Sequence, residues 1–165
     1  MALTVEDGSI VTGANSYVSL QDARDYASAR GVSLPTDDDE LEVLLVKAMD
    51  WIESMRDDFK GYKRTDHQAL QWPRYEVYVD WYYVESDTIP RELRYTQMAA
   101  AVELHEGNEL LANESDSGPV QQESVGDISV TYATRQRAVG PSAFAKPYAQ
   151  LAPLLRKNGM RVVRS

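Results

Sequence analysis

The sequence has 165 residues, of which 43% are hydrophobic and 26% charged, as expected for one folded domain with a modest core. It contains no cysteine, which excludes disulfides, thiolate metal sites and cysteine nucleophiles. The net charge is −9, but residues 127–165 carry seven basic side chains and one acidic one. The acidic body disfavours nucleic-acid binding, and the basic end indicates either a contact surface or a solvated terminus. The sequence has neither the pattern of a signal peptide nor a stretch of about 20 apolar residues, so we expect no membrane span.

Two helices are predicted after an irregular segment over residues 1–18. Ser19 and Asp22 are spaced to form a capping box at the start of the first helix, which Gly31 ends. The second helix is predicted from about Asp38 to Phe59, because its apolar residues recur at intervals of three and four. Its acidic start could bind a cation, but carboxylates at a solvated helix N-terminus are the simpler explanation.

An aromatic stretch follows a loop predicted from Lys60 to Pro73. Residues 75–83 alternate between two faces, which predicts one half-buried strand or an extended arm. Its aromatic side chains could stack unpaired bases, or they could anchor a core or a protein interface. The second use is favoured, because Glu76 and Asp80 would repel phosphates.

A third helix and a hairpin are predicted next. Pro90 sets the first turn of this helix, which continues to about Leu111. Residues 120–124 and 128–132 flank a turn at Gly126 and predict a β-hairpin.

The last predicted helix spans about Pro147 to Lys157, and Pro153 within it is expected to kink or split it. Residues 158–165 form a C-terminal tail in which apolar and basic residues alternate. The predicted fold is a small, mainly α bundle of about four helices with a β-hairpin and extended arms, in a single domain over residues 1–165.

No catalytic motif is present. The sequence contains no glycine-rich phosphate loop, no dinucleotide-binding fingerprint and no nucleophile elbow. Its two histidines, His67 and His105, fall in different elements without the spacing of a metal site. We therefore expect no enzyme activity, no catalytic or metal-binding residue and no cofactor.

Several segments together resemble one known family. They are Gln68-x-Leu70-x-Trp72-Pro73-Arg74, Ile89-Pro90 before an alanine-rich helix, Ser124 to Tyr132, and a terminal Leu151-Ala152-Pro153-Leu154-Leu155. In this order, over about residues 14–164, they resemble the head–tail connector, or adaptor, proteins of tailed bacteriophages. Many members of that group carry the description "DnaT-like single-stranded-DNA-binding". The chain departs from them over residues 75–88, which are aromatic and lack glycine.

The resemblance implies a structural virion protein of the phage neck. Its subunits form a ring, usually of twelve, under the portal, and the ring joins the DNA-filled head to the tail. Its partners are further copies of itself, the portal and the next neck or tail-completion protein, while genomic DNA passes through the channel without specific binding. Such a protein is made in the host cytoplasm and ends in the virion. The alternative is a single-stranded-DNA-binding protein of phage replication, and a small hydrolase is a third possibility that no group of residues supports.

Two sets of residues are predicted to make contacts. The portal-binding set lies at the basic end, where alternation suits an added strand in an acidic groove, and comprises Arg156, Lys157, Arg161, Val162, Val163 and Arg164. The set for contacts with other subunits or neck partners is rich in aromatic and β-branched residues and comprises Trp72, Pro73, Arg74, Tyr78, Trp81, Tyr82, Ile128, Val130 and Tyr132.

Overall fold

The computed structural model describes residues 2–108 and 144–156, together with the backbone of residues 123–125 and 128–130. The helices of this part are α1 (Leu20–Ser28), α2 (Asp38–Ser54), α3 (Arg91–His105) and α4 (Ala145–Leu151), followed by a 3₁₀ helix (Ala152–Leu154). The strands are β1 (Tyr62–Lys63), β2 (Arg74–Tyr75), β3 (Val77–Val79), β4 (Tyr82–Val84), β5 (Glu123–Val125) and β6 (Ile128–Val130). They pair in sequence order as three antiparallel ladders. The predicted mainly α fold with a β-hairpin is confirmed.

Side-chain caps begin the first two helices. The Ser19 hydroxyl accepts the Asp22 N–H at 3.1 Å, and the Asp22 carboxylate accepts the Ser19 N–H at 3.2 Å, so the predicted capping box is present. The carboxylate of Asp37 caps α2 by accepting the N–H groups of Asp39 and Glu40.

α2 ends at Ser54, and its predicted end at Phe59 was therefore wrong. Phe59 forms an antiparallel bridge with Leu155, as part of a short pairing between residues 58–60 and 154–156. Phe59 is fully buried, so it continues the apolar pattern of the helix although its backbone has left the helix.

Residues 75–83 do not form one strand, which corrects the prediction from alternation. β3 and β4 form a hairpin with Asp80 and Trp81 as its two-residue turn. Both turn residues have positive φ, of 50° and 71°, as in a type I′ turn. Glu76, with φ of 58°, separates β2 from β3. The turn lacks the glycine that normally marks such a hairpin in a sequence.

The hairpin turn also changes which residues share a face. Val77 lies opposite Val84, and Tyr78 lies opposite Tyr83, so an odd-numbered residue faces an even-numbered one. The valine pair points to the core, where Val77 is fully buried, and the tyrosine pair is exposed. The alternation in the sequence placed all odd-numbered residues on one face, and this prediction was therefore wrong for β4.

The remaining helices are present as predicted, but α3 and the last helical segment both end earlier than predicted; the latter begins at Ala145 and ends at Leu154 rather than at Lys157. α3 stops at His105 rather than near Leu111, and Gly107 follows it with φ of 87°. α4 passes into the 3₁₀ helix that contains Pro153, so the last helix is split as predicted. β5 and β6 confirm the predicted hairpin strands, while Gly126 lies outside the described residues.

Two hydrophobic clusters share α2 and α3. One packs α1 against both helices, and the other joins the far end of α2 to Phe59, Trp72 and the C-terminal helical segment. The buried amide of Gln97 crosses between elements: it donates to the Leu45 carbonyl at 3.0 Å and to the Ser16 hydroxyl at 2.9 Å, and it accepts the Tyr17 N–H at 2.8 Å. No described helix is both long enough and apolar enough to cross a membrane.

Candidate functional site

The β3–β4 hairpin exposes four aromatic side chains, which together are called its aromatic surface. Trp81 at its tip is 97% exposed and Tyr82 beside it 79% exposed. Tyr78 and Tyr83 pack edge to face, with ring centroids 5.5 Å apart, and both remain largely accessible. Isolated exposed aromatics are common, but a group on one hairpin is typical of a contact surface.

A groove of about 800 Å³ lies beside this hairpin. The hairpin side contributes Tyr78, Asp80 and Trp81, preceded by Glu76. The other side is formed by the C-terminal helical segment and is lined mostly by small residues: Ala149, Ala152 and Pro153, with Arg156 after them.

Lys60 connects the two sides of the groove. Its ammonium donates to the Tyr78 carbonyl at 3.0 Å and to the Pro153 carbonyl at 2.7 Å. Because both acceptors are main-chain oxygens, this side chain fixes the hairpin backbone against the C-terminal helical segment. The aromatic surface is therefore held in place rather than carried on a free arm.

The predicted interface residues Trp72, Pro73 and Arg74 are buried inside the protein, so the structure does not present their side chains on an open surface. Trp72 is fully buried and packs edge to face on Phe59, with ring centroids 6.0 Å apart. The Arg74 guanidinium donates to the carbonyls of Lys60 and Gly61, both at 2.8 Å. Aromatic residues and arginine are frequent in protein interfaces, but they also occur where elements pack together inside a protein. Here these residues form the base of the hairpin.

Arg74 is a buried cation close to a second one. Its burial, and then the charge of Arg156, lower the pKa of its guanidinium below the ordinary value. The nearby Tyr17 and Glu53 side chains oppose that shift.

A buried network behind this element was not predicted. The Tyr17 hydroxyl donates to the Glu53 carboxylate, and the main-chain N–H of Trp72 donates to the Tyr17 oxygen at 3.3 Å. Burial raises the pKa of Glu53, and burial together with the Glu53 charge raises the pKa of Tyr17 well above its ordinary value. No sequence signal links these residues, because they are far apart in the chain and meet only in the fold.

The structure describes only some of the other predicted contact residues. Tyr78, Trp81 and Tyr82 are on the exposed hairpin, and Arg156 is exposed beside the groove. For Ile128 and Val130 only the strand backbone is described. The rest of both sets lies outside the described residues: Tyr132, Lys157, Arg161, Val162, Val163 and Arg164. Binding by either set stays a prediction.

The groove has the chemistry of a binding surface. Its side chains combine two cations, two carboxylates and two exposed aromatic rings. Within the described residues, no three histidine or carboxylate side chains come together as a metal site would need. These groups can therefore bind by aromatic packing and by ion pairing.

The family comparison covers the entire sequence. The model of the family described as "Putative DnaT-like ssDNA binding protein" matches residues 1–165. No curated protein and no solved structure matches the chain. The chain therefore belongs to this DnaT-like family.

Proposed function

We propose that the chain is a structural subunit of a phage neck whose aromatic hairpin contacts neighbouring proteins. The observation that carries this proposal is the pair Trp81 and Tyr82, which are 97% and 79% exposed on a hairpin fixed by Lys60. Large exposed aromatics bury much area on binding and lose few torsions, so they are frequent anchors of protein interfaces. The assignment to a phage neck rests on the order of motifs, which resembles that of head–tail adaptor proteins.

The charge around the hairpin supports a protein partner. Asp80 lies in the hairpin turn and Glu76 directly before β3, and the whole chain carries a net charge of −9. Carboxylates beside stacking rings would repel a phosphate backbone, whereas a protein partner can offer basic groups to them. In this role the chain forms a ring under the portal, and the next neck or tail-completion protein binds the ring.

An acidic subunit also suits a channel for DNA. Like charge keeps DNA from adhering to the wall, so the genome passes through the ring without specific binding. The protein is then made in the host cytoplasm and acts in the virion without turnover of a substrate.

Single-stranded-DNA binding is a second candidate, and the family match favours it over the neck role. Trp81 and Tyr78 lie beside the cations Lys60 and Arg156, and rings next to cations are the usual elements of single-strand binding. The nearby carboxylates weaken this combination. The two candidates use the same hairpin, so one set of variants tests both.

The first test is complementation of a phage that lacks this gene. The neck role predicts DNA-filled heads beside separate finished tails in electron micrographs, and joined particles when the purified chain is added back. Trp81→Ala should restore few joined particles, since loss of an anchor typically costs 2 kcal/mol or more, about 30-fold in affinity. Val43→Ala, at an exposed apolar residue of α2, is the matched control and should restore them fully.

The second test is binding of the purified chain to a labelled single-stranded oligonucleotide over a range of salt concentrations. The neck role predicts no salt-dependent binding. Binding that weakens steeply with salt and is lost in Trp81→Ala would establish the DNA-binding candidate instead. Normal virions together with a defect in DNA synthesis would lead to the same conclusion.

A further inference from the structure

We propose that the groove beside the hairpin is the docking site of the chain's own C-terminal segment, residues 157–165. This inference stands independently of the neck role, because it concerns the free chain. The resemblance implies a portal contact for the same segment, so docking in the groove would precede that contact.

The place where the described chain ends supports this occupant. Arg156 lines the groove, and its N–H donates to the Asp58 carbonyl at 2.7 Å, so the described chain ends at the groove rim. Asn158-Gly159 follows at once, and this dipeptide strongly favours a tight reversal of the chain. Residues 160–165 can then return along the groove, with a reach of about 20 Å when extended.

Charge complementarity supports it as well. The segment contains the cations Lys157, Arg161 and Arg164 and no carboxylate side chain. The hairpin side of the groove offers the carboxylates of Glu76 and Asp80, which make no hydrogen bond or ion pair with another described residue. Such carboxylates are ready partners for guanidinium groups.

The cations of the groove do not block this arrangement. The ammonium of Lys60 is already held by two main-chain carbonyl oxygens. Arg156 follows the C-terminal helical segment, whereas the carboxylates belong to the hairpin and the residue before it. Basic side chains of the segment therefore gain most by facing the hairpin.

The apolar residues of the segment match the aromatic side of the groove. Val162 and Val163 follow one another, so in an extended segment one of them faces the groove. Trp81 and Tyr78 are largely exposed there and would bury apolar area beneath it. Because the segment is tethered at the groove rim, its effective concentration there is in the millimolar range.

Disulfide trapping in the full chain tests the proposal, since the natural sequence has no cysteine. Ala149 is exposed within the groove, and Ala149→Cys is combined in turn with Val162→Cys and Val163→Cys. We expect one of the two double variants to form an intramolecular disulfide. Its rate should be independent of protein concentration and roughly tenfold or more above that of a control pair. The control combines the same tail cysteines with Ala29→Cys, at an exposed position outside the groove.

Two outcomes of this experiment would overturn the proposal. A disulfide that forms only between chains, and faster at higher concentration, would assign the groove to the tail of a second copy. No disulfide above the control rate would show that the tail does not occupy the groove. Neither result depends on phage complementation, so the docking and the neck role can fail separately.

Charge reversal adds a second measurement without cysteines. In Arg161→Glu/Arg164→Glu the tail should leave the groove, and acrylamide should quench Trp81 fluorescence more strongly. The change is readable because Trp81 is the most exposed tryptophan, whereas Trp72 is fully buried. Adding Glu76→Lys/Asp80→Lys should restore the original quenching. Unchanged quenching in the first variant would contradict docking through these carboxylates.

Discussion

The hydroxyl of Tyr17 donates a hydrogen bond to the carboxylate of Glu53 at 2.5 Å, joining the N-terminal segment to the last turn of α2. The Gln71 N–H donates to both oxygens of the same carboxylate, at 3.1 and 3.0 Å. The Trp72 N–H donates to the Tyr17 oxygen. These contacts fix the base of the hairpin against α2, so they connect the stability of the fold to the position of the candidate site.

Removing the Tyr17 hydroxyl should destabilise the protein. In Tyr17→Phe, Glu53 loses a donor and the buried main-chain N–H of Trp72 loses its acceptor. We expect the free energy of unfolding to fall by about 1–3 kcal/mol. Urea denaturation measures it, with Tyr148→Phe as the control, because the Tyr148 side chain is exposed. Equal stabilities of the two variants would contradict the role given to this hydroxyl.

Stability should depend on pH through Glu53. Burial raises its pKa above the ordinary value of 4.5, so the folded protein holds this proton to a higher pH than the unfolded chain does. The stabilising contribution is therefore fully present below pH 4.5 and is lost as pH rises through the raised pKa. Glu53→Gln keeps an oxygen for Tyr17 and Gln71 but does not titrate.

The measurement is urea denaturation of both proteins across that pH range. Relative to the natural chain, Glu53→Gln should gain stability as pH rises from below 4.5 towards neutrality. A stability difference that does not change with pH would exclude a raised pKa at Glu53.

Gly61 should tolerate no side chain. Its φ is 64°, and an added Cβ would lie 2.1 Å from the Tyr75 carbonyl oxygen, which belongs to the backbone and cannot move aside freely. Gly61→Ala should lower the free energy of unfolding by about 3 kcal/mol or more. Gly13, with φ of 72° and no atom near the added Cβ, is the matched control. Gly13→Ala should cost about 1 kcal/mol, and similar costs at both sites would argue against the close approach at Gly61.

Loss of the Lys60 ammonium should loosen the hairpin. Lys60→Met keeps most of the side-chain length but leaves the carbonyls of Tyr78 and Pro153 without this donor. We expect a loss of about 1–3 kcal/mol and faster amide exchange over residues 77–84 than over α3. Lys47→Met, on the exposed face of α2, should change neither quantity. Unchanged exchange of the hairpin in Lys60→Met would mean that other contacts hold it.

Local chemistry in the sequence was enough to predict the helices and their starts. The capping box of Ser19 and Asp22, the acidic start of α2 and Pro90 before α3 all act within a few residues. The split at Pro153 is equally local, because proline lacks the N–H that a continued helix requires. Such interactions do not depend on which distant segment packs nearby.

The tertiary structure alone decided how the candidate site is built. Asp80 and Trp81 adopt positive φ without glycine, a conformation that needs support from packing elsewhere. Trp72 became core and Trp81 became surface, although both are tryptophans of one aromatic stretch. What separates them is long-range contact with Tyr17, Phe59 and the C-terminal helical segment. The spacing of residues in a sequence reflects local periodicity and charge. Burial of a side chain depends instead on which residues from distant parts of the chain pack against it.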